Sequence, residues 1–321
     1  MSGTKPMAMR DALLERIWRG MAADERIFFV TADFGAPTLD RIRSDFPKRF
    51  VNVGIAEQNL INVSAGLALE GFTVFAYAIA PFITMRCYEQ CRTNLALLST
   101  VRPMNVTLVG VGAGYSYVVS GPTHQCYEDI TLMRAMPGFQ VFSPADHVTA
   151  SHLFDRCVGR KGPKYLRFDA QTLPVLYGER APDLERGFTV LKDGTDACLV
   201  ATGYMVHTAL KVAERLEEDG IRPAVLDLFD LSGFDQEALA AKLAGHRAVV
   251  SLEEAFSGRG GVDALLRDLL SRRGTERPIL GVGVEPAYHF ELGDRATLHE
   301  RVGIGPVSVE ARVRAFLRRL S

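Results

Sequence analysis

Little in this sequence points to a partner drawn by bulk charge. Its 37 lysines and arginines are offset by 38 aspartates and glutamates, for a formal net charge of −1. With both signs interspersed, that balance excludes the field-driven attraction on which nucleic acid or an anionic membrane surface depends. No apolar run approaches the roughly 20 residues of a membrane-spanning helix. The opening residues, Met1-Ser-Gly-Thr-Lys-Pro6, lack the charged-then-apolar plan of a secretory leader, so a cytoplasmic location is expected. Five cysteines, at 87, 91, 126, 157 and 198, form neither a Cys-x-x-Cys pair nor a framework spacing. They read as free thiols in a reducing compartment. Seven histidines are scattered without ligand spacing, so no metal held by this chain is expected. Internal repeats and low-complexity tracts are also missing.

What remains is a chain of 321 residues, 47% hydrophobic, long enough for two ordinary domains with full cores. A helical period of apolar residues runs over 10–21. Apolar segments at 26–31, 49–52, 72–77, 104–111, 139–142 and 165–168 read as buried parallel strands. Helical stretches fall between them, including a long one over 81–98 that begins at Pro81, a residue suited to a first helical turn. The segment 169–185 breaks this rhythm with prolines, a glycine and charges, and reads as a linker. A second strand–helix series follows, with strands at 197–201, 224–228, 248–252 and 279–282. The alternation predicts an α/β chain of two consecutive doubly wound domains, at 1–178 and 187–321.

One stretch organises the first half. Val53-Gly-Ile-Ala-Glu-Gln-Asn-Leu60 follows a short strand and opens a helix rich in small residues. It sets Glu57 in a first helical turn at a strand's carboxyl end, where open α/β sheets bind ligands. Alone, Glu57 would be an acid facing the positive end of a helix dipole. A second loop, Gly121-Pro-Thr-His-Gln125, gives it a different meaning.

Together, Gly54-Ile-Ala-Glu57 and Gly121-Pro-Thr-His-Gln125 resemble the pyrimidine-binding domain of transketolases and deoxyxylulose-phosphate synthases. The similarity runs from about residue 8 to the end, the second series resembling the family's C-terminal domain. The family uses thiamine diphosphate. Its carboxylate sits against the aminopyrimidine ring and drives the tautomer that activates the cofactor, a form of general acid–base catalysis. The resemblance puts Glu57 in that role. It makes His124 a catalytic and substrate-contacting histidine, able to donate to a hydroxyl or a developing oxyanion. It also implies a cofactor pocket of Asp33, Phe34, Ile55, Phe82, Met85 and Tyr88. The last three are spaced i, i+3 and i+6 on one helix, a pattern that also suits a plain core face. Thr38, Ser120, His124 and Arg167 correspond to substrate contacts, Arg167 to an arginine that holds a phosphate.

Two features depart from the family. Ser120 stands where an Asp contacts a substrate hydroxyl, Gly112 where a His contacts phosphate, and no Arg matches the N-terminal phosphate contact. The usual aldose-phosphate acceptor is therefore not expected; a modified or nucleotide-linked sugar is. In addition, the Gly-Asp-Gly motif and later Asn that hold diphosphate and Mg²⁺ (or Ca²⁺) are missing. Lys192-Asp-Gly194 is the nearest match and reads as a turn. The resemblance therefore implies the C-terminal subunit of a split transketolase, transferring a two-carbon ketol unit only when a separate N-terminal subunit supplies the metal and diphosphate site, in an α2β2 heterotetramer. The alternatives are the E1 β subunit of a 2-oxo-acid dehydrogenase, which shares the carboxylate motif, and a non-catalytic scaffold subunit of the same fold.

Overall fold

The computed structural model describes residues 5–178 and 181–320. The first four residues and two positions of the 169–185 linker lie outside the described residues. Two compact units emerge. The first holds a six-stranded parallel sheet in the order β2-β1-β3-β4-β6-β5. Its strands are β1 (Ile27–Thr31), β2 (Phe50–Asn52), β3 (Thr73–Ile79), β4 (Asn105–Val111), β5 (Gln140–Phe142) and β6 (Gly162–Phe168). β3, β4 and β6 are apolar along most of their length because helices cover both faces of a parallel sheet. Helices Met9–Ala23 and His147–Gly159 pack together on one face. A Cβ at Gly20 would lie 2.3 Å from the Phe154 ring, so the close approach requires glycine there.

The chain leaves β1 for β2 on one side and returns for β3 on the other. The carboxyl ends of β1 and β3 thus border a topological switch point, where such sheets form ligand crevices. Lys164, buried at the opposite end of the sheet, donates to Asn105 Oδ1 at 2.7 Å and to the Gly162 carbonyl at 2.9 Å. Burial pulls its ammonium down to about 8.

The second unit carries β7 (Phe188–Lys192), β8 (Ala197–Ala201), β9 (Pro223–Leu228), β10 (Val249–Phe256) and β11 (Ile279–Val284) in the order β11-β10-β8-β9-β7. All pairs are parallel except β7–β9. β7 and the short helix Arg295–Arg301 were not foreseen from sequence. β7 is an edge strand too brief to show a period, and the helix is seven residues long. This unit also takes in residues 114–131.

Near the carboxyl end of β10 lies a buried ionic cluster. Arg295 clamps Glu254 with both arms of its fork, Nε to Oε1 at 3.0 Å and Nη2 to Oε2 at 2.6 Å, and His299 Nε2 meets Oε1 at 2.5 Å. Burial alone would raise the Glu254 carboxyl; Arg295 and then His299 outweigh it and hold the acid well below the usual range. A depressed folded-state pKa adds stability that is present above the unfolded carboxyl's value, about 4.3, and is lost as pH falls through the folded value. Glu254→Gln should destabilise the chain by about 3–5 kcal/mol at neutral pH, since it strands a buried guanidinium. Denaturant titrations across pH should show that gap narrowing below about pH 4.3; a gap constant down to about pH 3 would disprove the linkage.

Candidate active site

Glu57 is the first residue of helix Glu57–Leu69 and is 2% exposed. The helix buries Leu60, Ile61, Ser64, Ala65 and Ala68, which pulls its first turn down onto the sheet and takes Glu57 with it. No side chain caps this helix, so a first-turn carboxylate is favoured by the dipole alone. Arg86 Nη1 donates to Glu57 Oε2 at 2.8 Å. Oε1 accepts no hydrogen bond among the described residues.

Arg86 ends the first of two widened turns in the helix after β3. Residues Phe82–Arg86 and Cys91–Leu97 form π-helical turns, separated by a short α turn, Tyr88–Gln90. Such widened turns are rare and frequent at functional sites. Here the guanidinium lies 4.2 Å from the Phe82 ring centre while still bonding Glu57. The uninterrupted α-helix expected over 81–98 is therefore replaced by one whose faces are rotated. Phe82 stays half-buried beside Arg86, and Met85 is 37% exposed. Tyr88 donates its hydroxyl to the Leu132 carbonyl at 3.1 Å.

Asp33 follows β1 and is the one non-glycine residue with positive φ (56°) among the described residues. Asn52 ties it to the β2 end: Asn52 Nδ2 donates to Asp33 Oδ1 at 2.8 Å, and Asn52 Oδ1 accepts from the amides of Asp33 and Gly54 at 3.2 and 2.9 Å. That network fixes the approach to Ile55, which is 75% exposed, and to Glu57. Phe34 stacks on Tyr77 at 4.9 Å. Asp33, Phe34 and Asn52 line a cleft of about 490 Å³. Thr38 sits half-buried in the first turn of helix Pro37–Asp45. Arg167 is buried in β6, opposite Gly110 of β4, instead of lying on an exposed rim.

The remaining sequence-derived residues lie on the segment of the second unit. His124 is half-buried, its Nδ1 2.9 Å from Thr123 Oγ1 and its ring edge-on to Tyr117. Gly121 has a positive φ of 68°, and Ser120 is exposed. In the first unit, Gly112 has φ 112° and donates its amide to the Phe168 carbonyl. That φ lies in the region that favours glycine. Lys192-Asp-Gly194 is structural: a Cβ on Gly194 would lie 2.2 Å from the Pro223 backbone. Among the described residues no cluster of three or more His, Cys, Asp or Glu could hold a metal ion.

The fold and the buried, half-satisfied acid at a switch point define a pyrimidine-binding domain followed by a C-terminal domain. Comparison with known proteins agrees. The transketolase pyrimidine-binding domain profile matches residues 5–175 and the transketolase C-terminal domain profile residues 188–309. The chain belongs to the transketolase family, whose members use thiamine diphosphate. It is 31% identical to one subunit of the apulose-4-phosphate transketolase of Actinobacillus succinogenes, over 83% of this chain and 84% of that one. It is 30% identical to a 6-deoxy-6-sulfo-D-fructose transketolase subunit of a Clostridium species, over 92% and 90%. A solved split-gene transketolase, described as an inactive β4 tetramer, superposes with a TM-score of 0.84 at 32% identity, covering 98% of this chain and 99% of that one.

The residues present fit the pyrimidine half of the cofactor. Glu57 is buried with one oxygen held by Arg86 and the other accepting no hydrogen bond among the described residues, an acceptor suited to the N–H of a flat, nitrogen-bearing ring. Sequence reasoning missed Arg86 and Asn52. Arg86 gave no signal because its partner, Glu57, lies 29 residues away in sequence, and Asn52 reads as the last residue of a strand. Arg86→Met should destabilise the fold by about 1–2 kcal/mol by stripping Glu57 of its donor. Urea unfolding of Arg86→Met, Glu57→Gln and the double variant should give a coupling that removes most of this cost in the double. Additive effects would show that the two side chains do not stabilise one another.

Proposed function

We propose that this chain is the catalytic pyrimidine half of a split, thiamine-diphosphate-dependent transketolase, with its pyrimidine-binding domain at 1–178 and its C-terminal domain at 187–321. Its partner is a separate N-terminal subunit that carries the diphosphate and Mg²⁺ (or Ca²⁺) site, in an α2β2 assembly. The observation that carries this reading is Glu57, buried, paired on one oxygen and open on the other. When bound, the cofactor supplies the carbon nucleophile that accepts a two-carbon ketol unit from a ketose and passes it to an acceptor. This chain's share is to hold the aminopyrimidine and to exchange a proton at its ring nitrogen through Glu57 Oε1, while Arg86 fixes the other oxygen. Phe82, Ile55, Met85, Tyr88 and the Asp33–Phe34 loop are assigned to the ring pocket. His124, with Thr123 orienting one ring nitrogen, donates to substrate oxygen. Thr38, Ser120 and Arg167 complete the substrate contacts.

Partner dependence is supported by the sequence, which carries no diphosphate motif. It is supported too by the relatives named as subunits and by the split-gene neighbour described as an inactive β4 tetramer. Purified alone, the chain should show no ketol transfer and should bind thiamine diphosphate weakly. Adding the N-terminal subunit should restore activity, and Glu57→Ala in the reconstituted enzyme should lower the rate by roughly 10²–10⁴-fold. Full activity of the lone chain, or more than half of wild-type rate in Glu57→Ala, would sink the assignment.

The substrate is assigned to the modified sugars. Gly112 and the missing N-terminal Arg remove two charge-capable phosphate contacts, and Ser120 offers a neutral hydroxyl in place of a carboxylate. Two relatives are named for apulose 4-phosphate and 6-deoxy-6-sulfo-D-fructose. With the reconstituted enzyme, kcat/KM for ribose 5-phosphate should fall below that for at least one member of a panel of branched, sulfonated and nucleotide-linked sugars. A ribose 5-phosphate value of about 10⁴ M⁻¹s⁻¹ or more, above every panel member, would restore an ordinary transketolase.

A further inference from the structure

The second unit has a topological switch point of its own. From β8 the chain steps to β9 on one side and then to β10 on the other, so the carboxyl ends of β8 and β10 border a crevice of the kind that binds ligands in open α/β sheets. That crevice is filled, and by protein. Gly114 N donates to Cys126 O at 2.9 Å and Cys126 N to Gly114 O at 3.1 Å, closing residues 114–126 into a loop with a two-residue neck. The neck sits on Glu254: a Cβ on Gly114, whose φ is 53°, would lie 2.1 Å from Glu254 Oε2. Tyr115 packs edge-on to His299 and tilted against Tyr127 at 4.9 Å. Tyr127 packs against Phe256 at 5.2 Å, and its carbonyl accepts from the Phe256 amide at 3.1 Å. From the other side Tyr204 closes the cluster, under the Arg295 guanidinium and edge-on to His299.

Within this loop the Tyr127 hydroxyl donates to Gln125 Oε1 in a short hydrogen bond. Gln125 is 1% exposed and directly follows His124, whose own backbone amide bonds Gly121 O. Burial pushes the Tyr115 hydroxyl up to about 12 and the Tyr127 hydroxyl higher still, so both remain O–H donors throughout the physiological range. The Glu254 cluster fixes the neck of the loop, Tyr115 packs against Tyr127, the Tyr127 hydroxyl holds Gln125, and Gln125 fixes the backbone from which His124 projects.

The geometry points to a positioning role for the second domain: its ligand crevice is occupied by the chain's own 114–131 segment, and Glu254, Tyr115 and Tyr127 act on the reaction by holding His124. The inference rests on the assignment of His124 to substrate. It gives the C-terminal domain a task in the chemistry although none of these three side chains need touch substrate or cofactor.

The test uses the reconstituted two-subunit enzyme and four variants: Tyr127→Phe, Gly114→Ala, His124→Ala and the double Tyr127→Phe/His124→Ala. Tyr127→Phe keeps the ring packing and removes the hydroxyl that donates to Gln125 and interacts with the Tyr115 hydroxyl, so it is the variant that preserves the fold, with thermal melting as the check. It should lower kcat/KM for the sugar about 3–10-fold and leave cofactor affinity unchanged. Gly114→Ala, which drives a methyl group toward the Glu254 carboxylate at a left-handed backbone position, should lower kcat/KM by about tenfold or more. The deciding readout is coupling. If Tyr127 works through the histidine, Tyr127→Phe should change kcat/KM less than about twofold in the His124→Ala background, because the group it positions is gone. A purely structural role would leave the Tyr127→Phe effect the same in both backgrounds, and that result overturns the positioning role. So does an undisturbed kcat/KM in Tyr127→Phe and Gly114→Ala when His124→Ala is impaired, an outcome that leaves the histidine's own assignment intact. Wild-type kcat/KM in His124→Ala would instead remove the histidine from the site and the positioning role with it.

Discussion

A carboxylate taken out of water must be given partners, and in the first unit that constraint governs everything around Glu57. At 2% exposure Glu57 retains a helix amino end, one guanidinium and an unfilled acceptor oxygen. Arg86 serves it from the end of a π-helical turn, Phe82–Arg86. The turn holds a cation over the Phe82 ring and against the carboxylate.

The second unit solves the same problem differently. Glu254 is sealed by Arg295 on both oxygens and by His299 on one. A carboxylate paired on both oxygens in this way has little left to offer a ligand. Its value lies in geometry: it is a hard floor on which the neck of the 114–131 loop rests. The two acids, both at carboxyl ends of sheets, are therefore opposites, one left open on an oxygen and the other closed.

Much of this was legible in the sequence because the signals were local or periodic. Continuous apolar runs gave β1, β3 and β4 nearly to their ends and the first half of β10, and Glu57 was marked by a strand, a turn glycine and a small-residue helix in succession. Gly121-Pro-Thr-His-Gln125 carried His124 by its motif. Legibility ended where position depends on partners far away in the chain. The offset of Arg86, the Asn52 bonds that bind two loops together, and the burial of Arg167 opposite Gly110 follow from tertiary packing, which no window of neighbouring residues encodes. β7 was missed for a different reason: an antiparallel edge strand of five residues after a linker has no alternation long enough to detect. Gly112 was read as an omission that would alter specificity. Its φ of 112° shows a backbone condition as well, since a side chain there would strain the strand's exit.

The membership of residues 114–131 has a bearing on how such a chain can be divided or inherited. The linker at 169–185 looks like a seam between modules, yet the second unit owns a piece of chain lying far upstream of it. A cut at the linker would leave the loop attached to a fragment that lacks Glu254, Tyr204 and Phe256, and would leave the other fragment with an empty crevice lined by buried charge. The two halves are thus interlaced in sequence order. Recombination that exchanges the C-terminal domain alone must also match Gly114, Tyr115 and Tyr127, so shuffling at the apparent boundary is constrained by three residues on the far side of it.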